Sequence, residues 1–150
     1  MSTRPAKPDV SPWLTPYLIV RDVQASADLY RRAFGFTVGD IMPGPDGRPV
    51  HADLRYKGQA VVMMGAEGAM GMDLQAPATS GAQVPISLYV YCDDVDALYA
   101  QACKAGMRSS TAPTDMFWGD RMCALEDPDG YRWSFATNVG EFDPSKMPQA

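Results

Sequence analysis

Apolar and polar positions follow one order twice along the chain. TPYLIV (15–20) is a short apolar run of strand composition, followed by Asp22 and then by Val23, Ala27, Tyr30 and Phe34 at helical spacing before Gly35. ISLYVYC (86–92), Asp94, then Val95, Leu98, Tyr99 and Ala102 before Gly106 repeat that order. The two Asp caps lie 72 positions apart and the two terminal glycines 71. Further on, HADLRYKGQAVVMM (51–64) matches CALEDPDGYRWSFA (123–136), each reading as two strands joined at a glycine, Gly58 or Gly130. With second strands over about 36–42 and 108–114, each half reads as strand, helix and three strands. The expectation is an α+β fold of two tandem βαβββ modules, 13–64 and 86–138, with a Gly, Ala and Pro-rich linker at 65–85 and a tail at 139–150.

Composition narrows what such a chain does. The chain has 150 residues, enough to bury roughly two thirds of its unfolded surface without help from a cofactor. Its formal charge of −5 and lack of a Lys/Arg cluster argue against a nucleic-acid partner. The apolar runs are too short to span a membrane, and MSTRPAKPDVSP lacks the apolar stretch of a secretory signal. Cys92, Cys103 and Cys123 are far apart with no CxxC pair, which suits neither a disulfide framework nor a zinc knuckle. A reducing cytoplasm is the expected compartment.

The segments TPYLIVRDVQASADLYRRAFGF, VPISLYVYCDDVDALYAQACKAG and DMFWGDRMCALEDPDGYRWSFAT resemble the vicinal oxygen chelate superfamily, in particular its PhnB-like, glyoxalase/bleomycin-resistance branch. The resemblance covers about residues 13–138. It implies a deep U-shaped mixed sheet with a ligand or metal on its concave face, helices on the convex one, and a homodimer that sometimes exchanges modules. In metal-dependent relatives the ligands come from the first and last strand of each module. Carried over, those positions are Thr15 and Ser87, and Val62 and Ser134, with Met63 replacing Val62 if the register slips by one residue. Hydroxyl and hydrocarbon groups are poor donors for a divalent ion, and the single histidine, His51, rules out a two-histidine site within one chain. No metal and no cofactor are therefore expected.

Alternation along the strands places Thr15, Tyr17 and Ile19 on one face with Ser87, Tyr89 and Tyr91, joined by Val62, Met64, Arg132 and Ser134. Leu18, Val20, Leu88, Val90, Trp133 and Phe135 then face the helices. An aromatic, methionine-bearing, sparsely polar cup suits a small molecule, although the same tyrosines would equally serve a core or a dimer interface. Phe117 and Trp118 in MFWGDR read as a lid over that cup or as a cap on the core. Asp127 and Asp129 read as turn residues rather than paired catalytic acids, while Glu126 and His51 keep open roles. The expected ligand-binding set is Tyr17, Met64, Tyr89, Tyr91, Phe117, Trp118, Arg132 and Ser134. The expected function is metal-free sequestration of a small aromatic or hydrophobic compound, as in antibiotic resistance, with no reaction. The alternative is a metal-dependent lyase, isomerase or dioxygenase of the same superfamily with an atypical ligand set.

Overall fold

The computed structural model describes residues 3–149. The first half runs β1 (Tyr17–Val20), α1 (Val23–Phe34), β2 (Thr37–Pro43), β3 (Pro49–Tyr56) and β4 (Gln59–Ala66). A short helix, α2 (Pro77–Ser80), precedes the second half: β5 (Ser87–Tyr91), α3 (Val95–Ala105), β6 (Arg108–Asp115), β7 (Asp120–Glu126) and β8 (Arg132–Asn138). Each half forms a four-stranded mixed sheet, in the orders β1-β4-β3-β2 and β5-β8-β7-β6, with the first strand parallel to the last.

The helices begin and end where the repeat places them. The Asp22 carboxylate accepts from the Ala25 amide at 2.9 Å and the Asp94 carboxylate from Ala97 at 3.0 Å, each satisfying an amide that the first helical turn leaves without a partner. Both helices stop at a left-handed residue, Gly35 (φ 72°) and Gly106 (φ 111°), a conformation glycine adopts without a Cβ penalty.

One core serves both halves. Tyr30 and Phe34 of α1 reach across to Trp133 of β8, with ring centroids 5.1 and 5.0 Å away, and Phe34 lies 4.5 Å from Phe135. The Gln101 side chain on α3 donates to the Arg32 carbonyl at the end of α1. The hairpin turn of each half also meets the strand-helix junction of the other. Arg21 holds Asp129 at 2.9 Å, and Lys57 holds Asp93 at 2.7 Å. The Tyr131 hydroxyl docks on the free edge of β1, donating to the Ile19 carbonyl and accepting from the Ile19 amide.

The EDPDG segment is the buried part of this junction. Asp127 accepts from Tyr30 Oη (2.5 Å), Trp133 Nε1 (3.0 Å) and the amides of Asp129 and Tyr131. Asp129 accepts from Ser26 Oγ and Arg21. These two acids thus form the turn expected of them and in addition lock the halves together. The stretch expected to be an irregular linker is partly ordered onto the same turn. Ala76 and Pro77 are buried, and the Ala78 amide donates to the Asp129 carbonyl at 2.9 Å.

Candidate functional site

The sheet faces turned away from the helices carry the aromatic and polar groups of interest. On the second half, the strand pairs Tyr89 with Ser134 and Tyr91 with Ala136, while Ala124 and Met122 continue the same rows on β7. Small side chains at Ala124, Ser134 and Ala136 make a low floor, and the tyrosines stand over it. Their rings meet edge to face, 5.6 Å apart.

Asp120 organises this face. It is 2% exposed at the start of β7, and its Oδ2 accepts from both Tyr89 Oη and Tyr91 Oη at 2.8 Å. Its Oδ1 accepts from Asn138 Nδ2 at 3.0 Å. Burial pushes the Asp120 carboxyl up, but the bonds from Asn138, Tyr91 and Tyr89 outweigh it and hold the group below the usual range. The carboxylate is ionised at neutral pH, and the phenols donate to it. Burial, with further contributions from Asp120, pushes Tyr89 up to about 12; the Asp120 hydrogen bond raises Tyr91 as well. Neither phenol ionises near neutrality.

Phe117 and Trp118 sit in the turn between β6 and β7. Trp118, 37% exposed, donates from Nε1 to Tyr89 Oη at 3.2 Å, and Phe117 packs on Trp118 and on Phe142 of the tail. The structure thereby gathers Tyr89, Tyr91, Trp118 and Asp120 into one constellation. Asp120, the acid of the MFWGDR segment, is the member that sequence reasoning missed. Its signal is two tyrosines two positions apart on one strand face, whose hydroxyls both require an acceptor.

The remaining expected residues lie on that floor or apart from it. Ser134 and Ser87 hydrogen-bond to each other, Oγ to Oγ, at 2.8 Å. Arg132 is exposed at the start of β8, and Glu126 is tied to Arg108 at 2.5 Å. Tyr17 belongs to the first half, where its hydroxyl lies 3.0 Å from His51 Nδ1 and His51 Nε2 lies 2.9 Å from Asp53 Oδ1. Because a carboxylate only accepts, Nε2 donates to Asp53, while Nδ1 and the Tyr17 hydroxyl share the second hydrogen bond. The open role of His51 resolves into orienting Tyr17.

Met64 does not belong to the face on which the sequence puts it. It is fully buried in the helix-side core with Val62, and Tyr17 pairs instead with Met63. The cause is a bulge. Leu54 pairs with Val62 but Arg55 pairs with Ala60, so Val61 is an extra residue, and every later side chain of β4 is turned to the opposite face. The row facing the cup is therefore Met63 and Gly65. A Cβ at Gly65 would stand 2.7 Å from Tyr17 Oη, so glycine there makes room for the Tyr17 ring.

The positions that the resemblance assigns to metal ligands do not fit a metal. Val62 points into the core, Thr15 precedes β1, and Ser87 and Ser134 are bonded to each other. Among the described residues no group of three or more His, Cys, Asp or Glu side chains is placed to hold an ion. Burial pushes the Cys123 thiol up to about 11 and also raises that of Cys92, which disfavours a thiolate at either.

Known proteins resemble this chain in sequence or in fold. An uncharacterized Mycobacterium bovis protein, Mb0911c, is 34% identical over 142 residues, covering 95% of this chain and 93% of its own length. The crystal structure of TioX from Micromonospora sp. ML1 superposes with a TM-score of 0.67 at 26% identity, over 84% of this chain and 98% of that one. The bleomycin resistance determinant encoded on transposon Tn5 superposes with a TM-score of 0.61 at 25% identity, over 85% and 98%. Residues 12–135 match the family model itself, and the chain belongs to the Glyoxalase/Bleomycin resistance protein/Dioxygenase superfamily.

Proposed function

We propose that the protein binds and sequesters a small, flat, aromatic or hydrophobic compound against the tyrosine-lined faces of its sheets, without a metal and without making or breaking a bond. The observation that carries this reading is the Tyr89, Tyr91, Trp118 and Asp120 constellation. Its hydroxyls are oriented by a buried acceptor, its rings are exposed, and its phenols are held protonated. Rigid aromatic walls fixed in advance lower the ordering cost of binding. The similarity to the Tn5 bleomycin resistance determinant supports an antibiotic as one such ligand, and three scattered cysteines with no CxxC pair support a cytoplasmic setting.

We further propose a homodimer in which a second copy covers the open faces. Trp13 and Leu14 are each 83% exposed, and Ile86 and Tyr91 are 64% and 57% exposed. Large apolar side chains exposed together in this way mark an interaction surface.

Titration with bleomycin and a panel of flat aromatic antibiotics, followed by Trp fluorescence and calorimetry, tests the reading. Saturable binding is expected. Trp118→Ala should weaken it roughly two- to tenfold, the equivalent of losing one aromatic stacking partner. Unchanged affinity in a folded variant would remove Trp118 from the site, and silence across the panel would remove the function.

A further inference from the structure

We propose that the face around Asp120 selects ligands carrying a delocalised or quaternary cationic nitrogen. The inference rests on the binding reading above and names its ligand class. Asp120 is a buried carboxylate whose hydrogen-bond partners are neutral: two tyrosine hydroxyls and the Asn138 amide. None of the ion pairs among the described residues includes it. The neighbouring guanidinium, Arg121, is engaged elsewhere by Asp96 and Asp115. Hydrogen-bond donors stabilise this buried negative charge without cancelling it, so its field still attracts a cation placed beside the phenols.

The groups lying between Asp120 and solvent extend the same preference outward. Because Tyr89 and Tyr91 spend their protons on the carboxylate, their oxygens present lone pairs to a ligand. The Tyr89 oxygen already accepts from Trp118, which leaves the Tyr91 oxygen as the open acceptor. The exposed faces of the Tyr89, Tyr91 and Trp118 rings are the negative poles of their quadrupoles. Ring faces, phenol oxygens and the carboxylate beneath them all favour positive charge over a neutral ring of the same shape. Asp120 itself is out of a ligand's direct reach. Its charge is felt through the two phenols, which favours a diffuse cation stacked on the rings over a compact one that would need its own hydrogen-bonded carboxylate.

The test compares two probes of one shape, acridine and N-methylacridinium, titrated into the full-length protein at a pH where acridine is neutral. About 0.15 M salt shortens the reach of the chain's overall charge to about 8 Å. The wild-type protein is expected to bind the cation about tenfold more tightly. Asp120→Asn, with its fold checked by thermal melting, should bring the two affinities within about twofold of each other. Tyr91→Phe, which keeps the carboxylate but removes the open acceptor, should reduce the preference to about threefold. Equal binding of both probes by the wild type overturns the inference and leaves the sequestration reading standing. Binding of neither probe, together with silence across the antibiotic panel, removes both. A preference that survives in Asp120→Asn would assign it to the net charge of the chain and overturn the inference. Should Asp120→Asn not fold, an undiminished preference in Tyr91→Phe overturns it and a reduced one supports it.

Discussion

Asp127→Ala is expected to lower the stability of the protein by about 3–5 kcal/mol, read as a shift of the urea midpoint at unchanged slope. The substitution removes the only acceptor shown for two fully buried donors, Tyr30 Oη and Trp133 Nε1, and for the amides that shape the turn at Asp129 and Tyr131. Each buried donor left without a partner costs about 1–3 kcal/mol. The position joins the halves, so the loss is not confined to one of them. A shift below about 1 kcal/mol would mean that the turn is an ordinary surface connection.

Asp127→Asn should be milder, because burial pushes the Asp127 carboxyl above its ordinary value of 3.8 and only partly loses to the bonds from Tyr30, Trp133 and Tyr131. The folded state therefore holds that proton more tightly than the unfolded state. The corresponding stabilisation is fully present below pH 3.8 and is lost as pH rises through the folded-state value. Wild-type stability measured relative to Asp127→Asn should accordingly rise on the acid side, and a flat difference would contradict the burial.

Trp133→Ala should cost a similar amount, about 3–5 kcal/mol, and do so in a single transition. Trp133 stands on β8 of the second half, yet its ring contacts Tyr30, Phe34 and Phe36 of the first, with centroids 5.0–5.8 Å away, and stacks on Phe135 at 6.2 Å. Removing it opens a cavity in the one core that both halves use. Loss of far-ultraviolet helix signal and the change in fluorescence of the remaining Trp13 and Trp118 should coincide in denaturant. Two separated transitions would show that each half holds itself together.

What could be read from the sequence follows from which features are periodic. Caps, helical stripes and hairpin glycines recur at a fixed offset, and each has a local physical cause, so the order of elements in both halves was legible. The faces of β1, β5 and β8 were legible for the same reason, since Leu18, Val20, Trp133 and Phe135 pack on the helices and Tyr17, Tyr89 and Tyr91 do not. The face of β4 was not. Aligning Gly58 with Gly130 assumes equal strands after each turn, and the extra residue at Val61 has no signature in an apolar run such as AVVMM. Asp120 was hidden differently. An acid beside a glycine reads as turn chemistry, and only the folding of β5 next to β8, with β7 beyond it, brings two tyrosine hydroxyls onto it. The order in the 65–85 stretch likewise depends on a tertiary partner, the Asp129 turn against which Pro77 and Ala78 pack.

The claim on which the functional account stands is that the aromatic face binds its ligand by itself. Calorimetric titration of the full-length protein with acridine and N-methylacridinium, before and after exhaustive dialysis against a chelator, tests it most directly. The account predicts saturable binding with the same affinity in both preparations. Binding that disappears on chelation and returns with added nickel, zinc, manganese or iron would contradict it.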